Sequence, residues 1–261
     1  MAHAPARTDR QPLAAKVPEI TFLFWIIKLL TTASGEAISD YLSLHGHLVA
    51  GAVELSVFVA ALICQFATRR YVAAAYWFFA LAVAIFGTGV SDALHLIVGI
   101  PYAGTTAGWA IVLALIFWLW YRSEGTLSIH SIVTTRREIF YWATVFATFA
   151  LGTALGDFTA SVLRLGYLKS AVLFFVVILI PLIAWRFFRM NAVLAFWFAY
   201  VITRPLGASL ADWTSKPRAI SGLDYGDATV SVVTLIAIVI AVTYISIARN
   251  DIQPIRTESA T

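Results

Sequence analysis

Charge is what this 261-residue sequence has least of: Lys, Arg, Asp and Glu together make up 12% of it, about half the share of a soluble domain. With 61% hydrophobic residues, there is too little polar surface to cover a water-facing globule, and the chain belongs in a lipid bilayer. Cysteine is nearly absent. The one present, Cys64, excludes an intramolecular disulfide and a cysteine metal cluster, and its apolar surroundings point to core packing. A nucleophile elbow, a phosphate loop and a metalloprotease helix are all missing, so neither enzymatic activity nor a cofactor is expected. No soluble domain is available to drive transport with nucleotides. The polar tail 1–17 lacks the basic, apolar and small-residue order of a cleaved signal peptide, so the first apolar run is expected to remain in the mature protein.

What is present in quantity is apolar runs of about 20 residues, the length that crosses a bilayer. They cover 18–41, 47–68, 71–98, 102–121, 137–163, 167–185, 191–213 and 228–248. The expected fold is an all-α integral membrane protein of eight transmembrane helices. The formal charge of +4 needs no nucleic-acid partner, because the basic residues collect on one side. Arg7, Arg10, Lys16, Arg69, Arg70, Arg122, Arg136, Arg137, Arg186, Arg189, Arg249 and Arg256 fall there, against Arg164, Lys169, Lys216 and Arg218 on the other. The positive-inside rule then puts both termini in the cytoplasm, with a bacterial inner membrane as the expected location.

The runs pair into repeats. Trp25, Trp77, Trp142 and Trp197 each stand fifteen residues before an aspartate, Asp40, Asp92, Asp157 and Asp212, and each aspartate follows a glycine by five: Gly35, Gly87, Gly152 and Gly207. With nine tryptophans and fifteen glycines in the chain, one aspartate meets both conditions by chance roughly once in 500. Four do so on four odd-numbered helices. An even number of spans per unit gives every copy the same orientation, unlike inverted-repeat transporters. The division is a tail 1–17, repeats at 18–70, 71–122, 136–189 and 190–248, a loop 123–135 and a tail 249–261. These four units, the loop Arg122-Ser-Glu-Gly-Thr-Leu-Ser-Ile-His-Ser-Ile, Asn191-Ala-Val-Leu-Ala-Phe-Trp and Thr203-Arg-Pro-Leu-Gly-Ala-Ser-Leu resemble bacterial membrane-anchored proteins with four tandem two-helix repeats of unknown function. The resemblance runs from 18 to about 248 and implies fold and topology but no activity.

Residues twelve, eight and four before each aspartate share its helical face. The first repeat reads Lys28, Thr32, Glu36, Asp40 and the fourth Tyr200, Arg204, Ala208, Asp212, while Thr88 and Thr153 are the only polar additions in the middle two. An ionised group at bilayer depth costs at least about 2.5–3.5 kcal/mol, so Lys28, Glu36 and Arg204 must face one another or water. With the stripes turned inward, Glu36 and the four aspartates, flanked by Thr32, Thr88, Thr153 and Ser209, suit a hard cation or a proton, and Lys28 and Arg204 act as counter-charges. The expected function is a secondary transporter or permease for a small inorganic cation, divalent metals included. The alternatives are a passive cation channel, a non-transporting scaffold held by ion pairs, and an organic-anion carrier bound at Lys28 and Arg204. Besides the cation or proton, the one partner expected is the bilayer.

Plainer roles are open to several of these residues. The tryptophans are expected to anchor helices at the cytoplasmic interface, and the glycines to permit close helix crossing. His95 follows Asp92 by three residues and, with His45 and His47, could join carboxylates around a metal. Glu54 is a candidate partner for Lys28. His130 is expected to be structural. Pro205 and Pro181 free the carbonyls of Val201 and Val177 and are candidate hinges.

Overall fold

The computed structural model describes residues 15–253. Of the tails 1–17 and 249–261 only those described residues can be placed, and Arg7, Arg10 and Arg256 lie outside them. Among the described residues eight long helices form: α1 Phe22–Ser43, α2 His47–Ala67, α3 Ala73–Leu96, α4 Tyr102–Glu124, α5 Thr135–Asp157, α6 Gly166–Phe188, α7 Ala192–Ser215 and α8 Asp227–Ala248. All are long and apolar enough to span a membrane, as expected of a multi-pass protein, and their ends agree with the apolar runs to within four residues once the π-helical turn that extends α5 to Val162 is counted. Polar side chains set several starts. Thr21, Thr134 and Asn191 accept hydrogen bonds from the first turns of α1, α5 and α7, satisfying donors that a helix leaves orphaned. α5 runs past Asp157 into a π-helical turn, Phe158–Val162.

The helices sort by burial. The best apolar stretch of each odd-numbered helix is 56–72% buried, against 17–22% for the even-numbered ones. The inner layer is a closed ring in the order α1, α3, α5, α7 and back to α1. Each outer helix packs chiefly on the next repeat, α2 on α3, α4 on α5, α6 on α7 and α8 on α1, rather than on its own first helix. Each repeat is therefore incomplete until its neighbour covers it, and the first and last repeats complete each other.

The signature residues make the ring. Gly35 faces Ala84, Gly87 faces Phe149, Gly152 faces Arg204 and Gly207 faces Thr32. In every case a glycine five before the aspartate receives the residue eight before the next repeat's aspartate. A β-carbon on Gly152 would lie 2.6 Å from Arg204 Cβ, one on Gly207 2.6 Å from Thr32 Cβ, and one on Gly87 3.0 Å from Phe149 Cβ. The expected close crossing is what these glycines provide.

The tryptophans obey the same cyclic rule. Phe24 packs on Trp77 at 5.6 Å between ring centroids, Tyr76 on Trp142 at 5.2 Å, Tyr141 on Trp197 at 6.1 Å and Phe196 on Trp25 at 5.8 Å. Trp77, Trp142 and Trp197 are buried in the main core, and Trp197 donates to the Leu127 carbonyl at 2.9 Å. Interfacial anchoring is thus the wrong role for these three: an indole pointing into the bundle is packing material, and it closes one end of the ring. Cys64 also departs from expectation. It sits exposed on α2, because that helix turns most of its surface outward.

Candidate functional site

The stripe residues converge at four levels along the ring. At its middle the Arg204 guanidinium is fully buried and touches all three other inner helices. One nitrogen donates to Glu36 Oε2 at 2.5 Å, to the Thr153 hydroxyl at 2.6 Å and to the Thr88 hydroxyl, and the other nitrogen reaches the Thr32 carbonyl at 3.4 Å. Thr88 and Thr153 also donate to Glu36 Oε2, at 3.1 and 3.2 Å. Glu36, Thr88 and Thr153 hold equivalent places in three repeats, so a single carboxylate oxygen collects the ring's polar groups around one fixed cation.

One turn beyond lies the aspartate end. Carboxylate oxygens of Glu36, Asp40 and Asp212 all fall within 4.8 Å of one another. Lys216 donates to Asp40 Oδ2 at 2.6 Å and to Asp227 Oδ1 at 3.2 Å. The chain after α7 folds back on that helix, Leu223 N to Trp213 O at 2.7 Å and Asp224 N to Lys216 O at 2.9 Å, which fixes the lysine over the carboxylates. Burial pulls the Lys216 ammonium down, but Asp40, Asp212 and Asp227 outweigh this and hold its pKa well above the ordinary lysine value. Asp92 and Asp157 are half-buried and form no ion pair among the described residues. Asp92 shares with Asp40, Glu54 and His47 a cleft of about 190 Å³ between α1, α2 and α3.

Toward the other end, Lys28 is 2% exposed and its Nζ has no hydrogen-bond partner among the described residues. It stands 3.5 Å from the Tyr200 ring centroid and 4.9 Å from that of Phe149. Below it the Tyr76 and Tyr141 hydroxyls are hydrogen-bonded to each other.

Not every expected residue takes its expected part. The pairing of Arg204 with Glu36 is present, but Lys28 pairs with no carboxylate among the described residues. Glu54 accepts from Ser39 at 2.7 Å and occupies space left by Gly89, so it is no partner for Lys28. His95 binds the Ile100 carbonyl at 2.8 Å and stacks on Tyr102, which commits it to its own turn; it is not among the residues grouped with Glu36. His45 is exposed and bound to the Tyr41 carbonyl. Thr32 turns its hydroxyl to the Leu29 carbonyl, while Ser209 is buried with its hydroxyl unpaired. His130 reaches Gln253 at 3.1 Å. Pro205 and Pro181 lie buried inside the continuous helices α7 and α6.

Several polar groups of the bundle lie outside the four-residue stripe of the signature. Lys216 follows Asp212 by four residues, and one more step along the stripe finds it. Glu138 is fully buried at the basic end, held by Lys16 at 2.6 Å and Gln65 at 2.9 Å. Nearby, Tyr71 donates to Asp251 at 2.5 Å. Burial and the Asp251 carboxylate raise the Tyr71 pKa beyond the ordinary range. No sequence periodicity marks these, since their partners come from segments outside the repeat signature.

Fold and signature define a multi-pass membrane protein of four tandem two-helix repeats that close on themselves. The family profile described as Repeat of Unknown Function (DUF347) matches the chain four times, over residues 23–71, 75–126, 140–191 and 195–251, each match starting two residues before a signature tryptophan. The chain belongs to that repeat family. No curated protein and no solved structure matches it.

Proposed function

We propose that the protein is a secondary transporter for a small inorganic cation, bound at the aspartate end by Glu36, Asp40 and Asp212. The observation that carries this reading is the convergence of three carboxylates within 4.8 Å, beside two cations that belong to the chain itself, Arg204 and Lys216. A hard cation takes carboxylate and hydroxyl oxygens, and Ser209 has a free buried hydroxyl one turn from Asp212. An entering cation displaces Lys216 from Asp40 and loosens Glu36 from Arg204. The site therefore has two charge states, which is what a carrier needs in order to bias two conformations. The basic residues collected at the opposite end support, by the positive-inside rule, a cytoplasmic location of that end in a bacterial inner membrane, with the aspartates then facing outward. Closure of the ring by Arg204, Phe149 and the aromatic layer favours alternating access over a passive channel.

One observation favours a second reading, a non-transporting scaffold: Arg204 ties all four inner helices together, as a purely structural lock does. Reconstituted protein separates the two. Proteoliposomes offered Na⁺, K⁺, Mg²⁺, Mn²⁺ and Zn²⁺ in turn are expected to take up at least one, and Asp40→Asn and Asp212→Asn to abolish uptake without loss of the folded peak on size exclusion. No uptake of any of these ions by the wild type overturns the transport reading.

A further inference from the structure

The two buried cations of the ring are treated differently. Arg204 has a carboxylate, two hydroxyls and a carbonyl. Lys28 has none of these, though it is as deeply buried. Both lean on one ring, with Arg204 Cζ 5.3 Å and Lys28 Nζ 4.9 Å from the Phe149 centroid. At this depth two basic groups share a single acid, Glu36, and Arg204 has taken it. A guanidinium does not give up its proton in a protein, so any change in charge here falls to the lysine. The Tyr200 and Phe149 faces stabilise an ammonium by cation–π attraction, yet they offer no acceptor to pin it. A group held in this way can gain a proton and release it again.

Resting on the transport reading above, we propose that Lys28 carries a coupled proton that exchanges with the basic end across the Tyr76–Tyr141 hydroxyl pair. The proton adds to the Nζ lone pair and leaves from the same atom. The transfer is a relay in which a tyrosine hydroxyl passes one proton on and receives another, so nothing is oxidised or reduced. Tyr76 and Tyr141 stand sixteen residues before their aspartates and Lys28 twelve before its own, one turn apart in register toward that end, and Tyr71, whose hydroxyl binds Asp251, packs on Tyr76 with centroids 5.8 Å apart. The titratable groups facing this place are few. They are Tyr76 from α3, Tyr141 from α5, and Tyr200 and Arg204 from α7. Glu36 on α1 is engaged by Arg204, Glu54 on α2 by Ser39, and Asp227 on α8 by Lys216. When a cation draws Glu36 away from Arg204, the guanidinium lies unneutralised beside Lys28 and repels an ammonium there. Cation binding thus expels the proton, which makes the cycle an exchange.

The test uses the full chain in proteoliposomes, with whichever of Na⁺, K⁺, Mg²⁺, Mn²⁺ and Zn²⁺ the wild type takes up as the probe. Two readouts are compared: tracer exchange at equal concentrations on both sides, which needs no coupling, and uphill accumulation driven by a pH gradient. Lys28→Met removes the titrating group, and Lys28→Arg makes its charge permanent. Lys28→Met is expected to keep exchange within a few-fold of wild type while losing gradient-driven accumulation by more than an order of magnitude, and Lys28→Arg, whose charge cannot leave when the cation enters, is expected to lose both. Tyr76→Phe is expected to slow proton release without slowing exchange. Accumulation by Lys28→Met at the wild-type level overturns the proposal and leaves the transport reading standing, as does exchange by the wild type with no accompanying proton movement. Failure of Lys28→Met to exchange while still monodisperse makes Lys28 part of the cation site and also overturns it. Absence of wild-type exchange for every ion removes the transport reading, and this one with it.

Discussion

The two halves of the inner ring are built on opposite principles. From the aromatic layer to Arg204, side chains are buried, and glycines bring the next helix against each backbone. From Glu36 to the aspartates, three of the four signature carboxylates are only half-buried and are held by a lysine from a loop or by no partner. One set of four helices thus contains a packed half that fixes geometry and a charged half whose carboxylates are partly open to solvent. Packed interiors are bistable rather than elastic, so a ligand acting in the loose half can reach the closed one only by moving whole helices.

The largest expected effect is the removal of the guanidinium that sits on the boundary. Arg204→Met leaves Glu36 buried without its cation and should cost about 3–5 kcal/mol, read as a large fall in thermal midpoint in detergent. Glu36→Gln added to it should restore much of the loss, because a neutral amide still satisfies Thr88 and Thr153. A small effect of Arg204→Met would erase the distinction between the halves.

Next comes the glycine rule. A β-carbon on Gly35 meets both Ala84 Cβ and its carbonyl carbon, the latter at 2.9 Å, and a backbone cannot step aside as a side chain can. Gly35→Ala should destabilise by about 1–3 kcal/mol through overpacking, less up to about 1 kcal/mol gained in helix propensity. Gly51→Ala on the outer helix α2, where nothing lies within 4 Å, should show only the gain. Equal effects at the two positions, measured by thermal midpoint, would mean that inner and outer layers are packed alike.

A test at the closed end is of similar size. Lys16→Met leaves the fully buried Glu138 with Gln65 alone, and should cost about 1–3 kcal/mol. Adding Glu138→Gln should recover stability, which a purely apolar role for Lys16 would not allow.

How much of this was legible in the sequence follows from where the information lies. Trp25 to Asp40 and its three copies lie at fixed spacing within single helices, so a linear reading finds them and the eight spans. The closure of α7 on α1 and the packing of α2 on α3 depend on contacts between repeats, and spacing within a helix is silent about them. The burial of Trp77, Trp142 and Trp197 is hidden for the same reason: an indole near a helix end looks the same in sequence whether its helix is inner or outer. Arg204 and Glu36 could be matched because burial forces opposite charges together. Lys28 broke that rule, since an aromatic face can hold a cation without leaving any complementary charge to search for. Lys216 was passed over because a lysine beyond a helix end is usually solvated, and only the folded loop after it turns it back.

The smallest structural effect, at Lys216, sharpens the comparison most. Its side chain is 21% exposed and its partners Asp40 and Asp227 are 18% and 12% exposed, so water shares in solvating the pair, and Lys216→Gln should change stability by no more than about 1 kcal/mol. The pH dependence has a definite sign. The lysine pKa is raised on folding, so its contribution is complete below the ordinary lysine value and is lost only as pH rises through the higher folded value. Between neutral pH and the ordinary lysine range, the difference in thermal midpoint between wild type and Lys216→Gln should therefore stay flat. Cation binding should respond in the opposite direction to stability. If Lys216 stands where a cation would bind, its removal frees Asp40, and Lys216→Gln should bind the transported ion more tightly while becoming no more stable. Weaker binding would mean that the lysine organises the carboxylates instead of competing for them. The aspartate end would then be as preset as the aromatic end, and the contrast between the two halves would reduce to one of exposure.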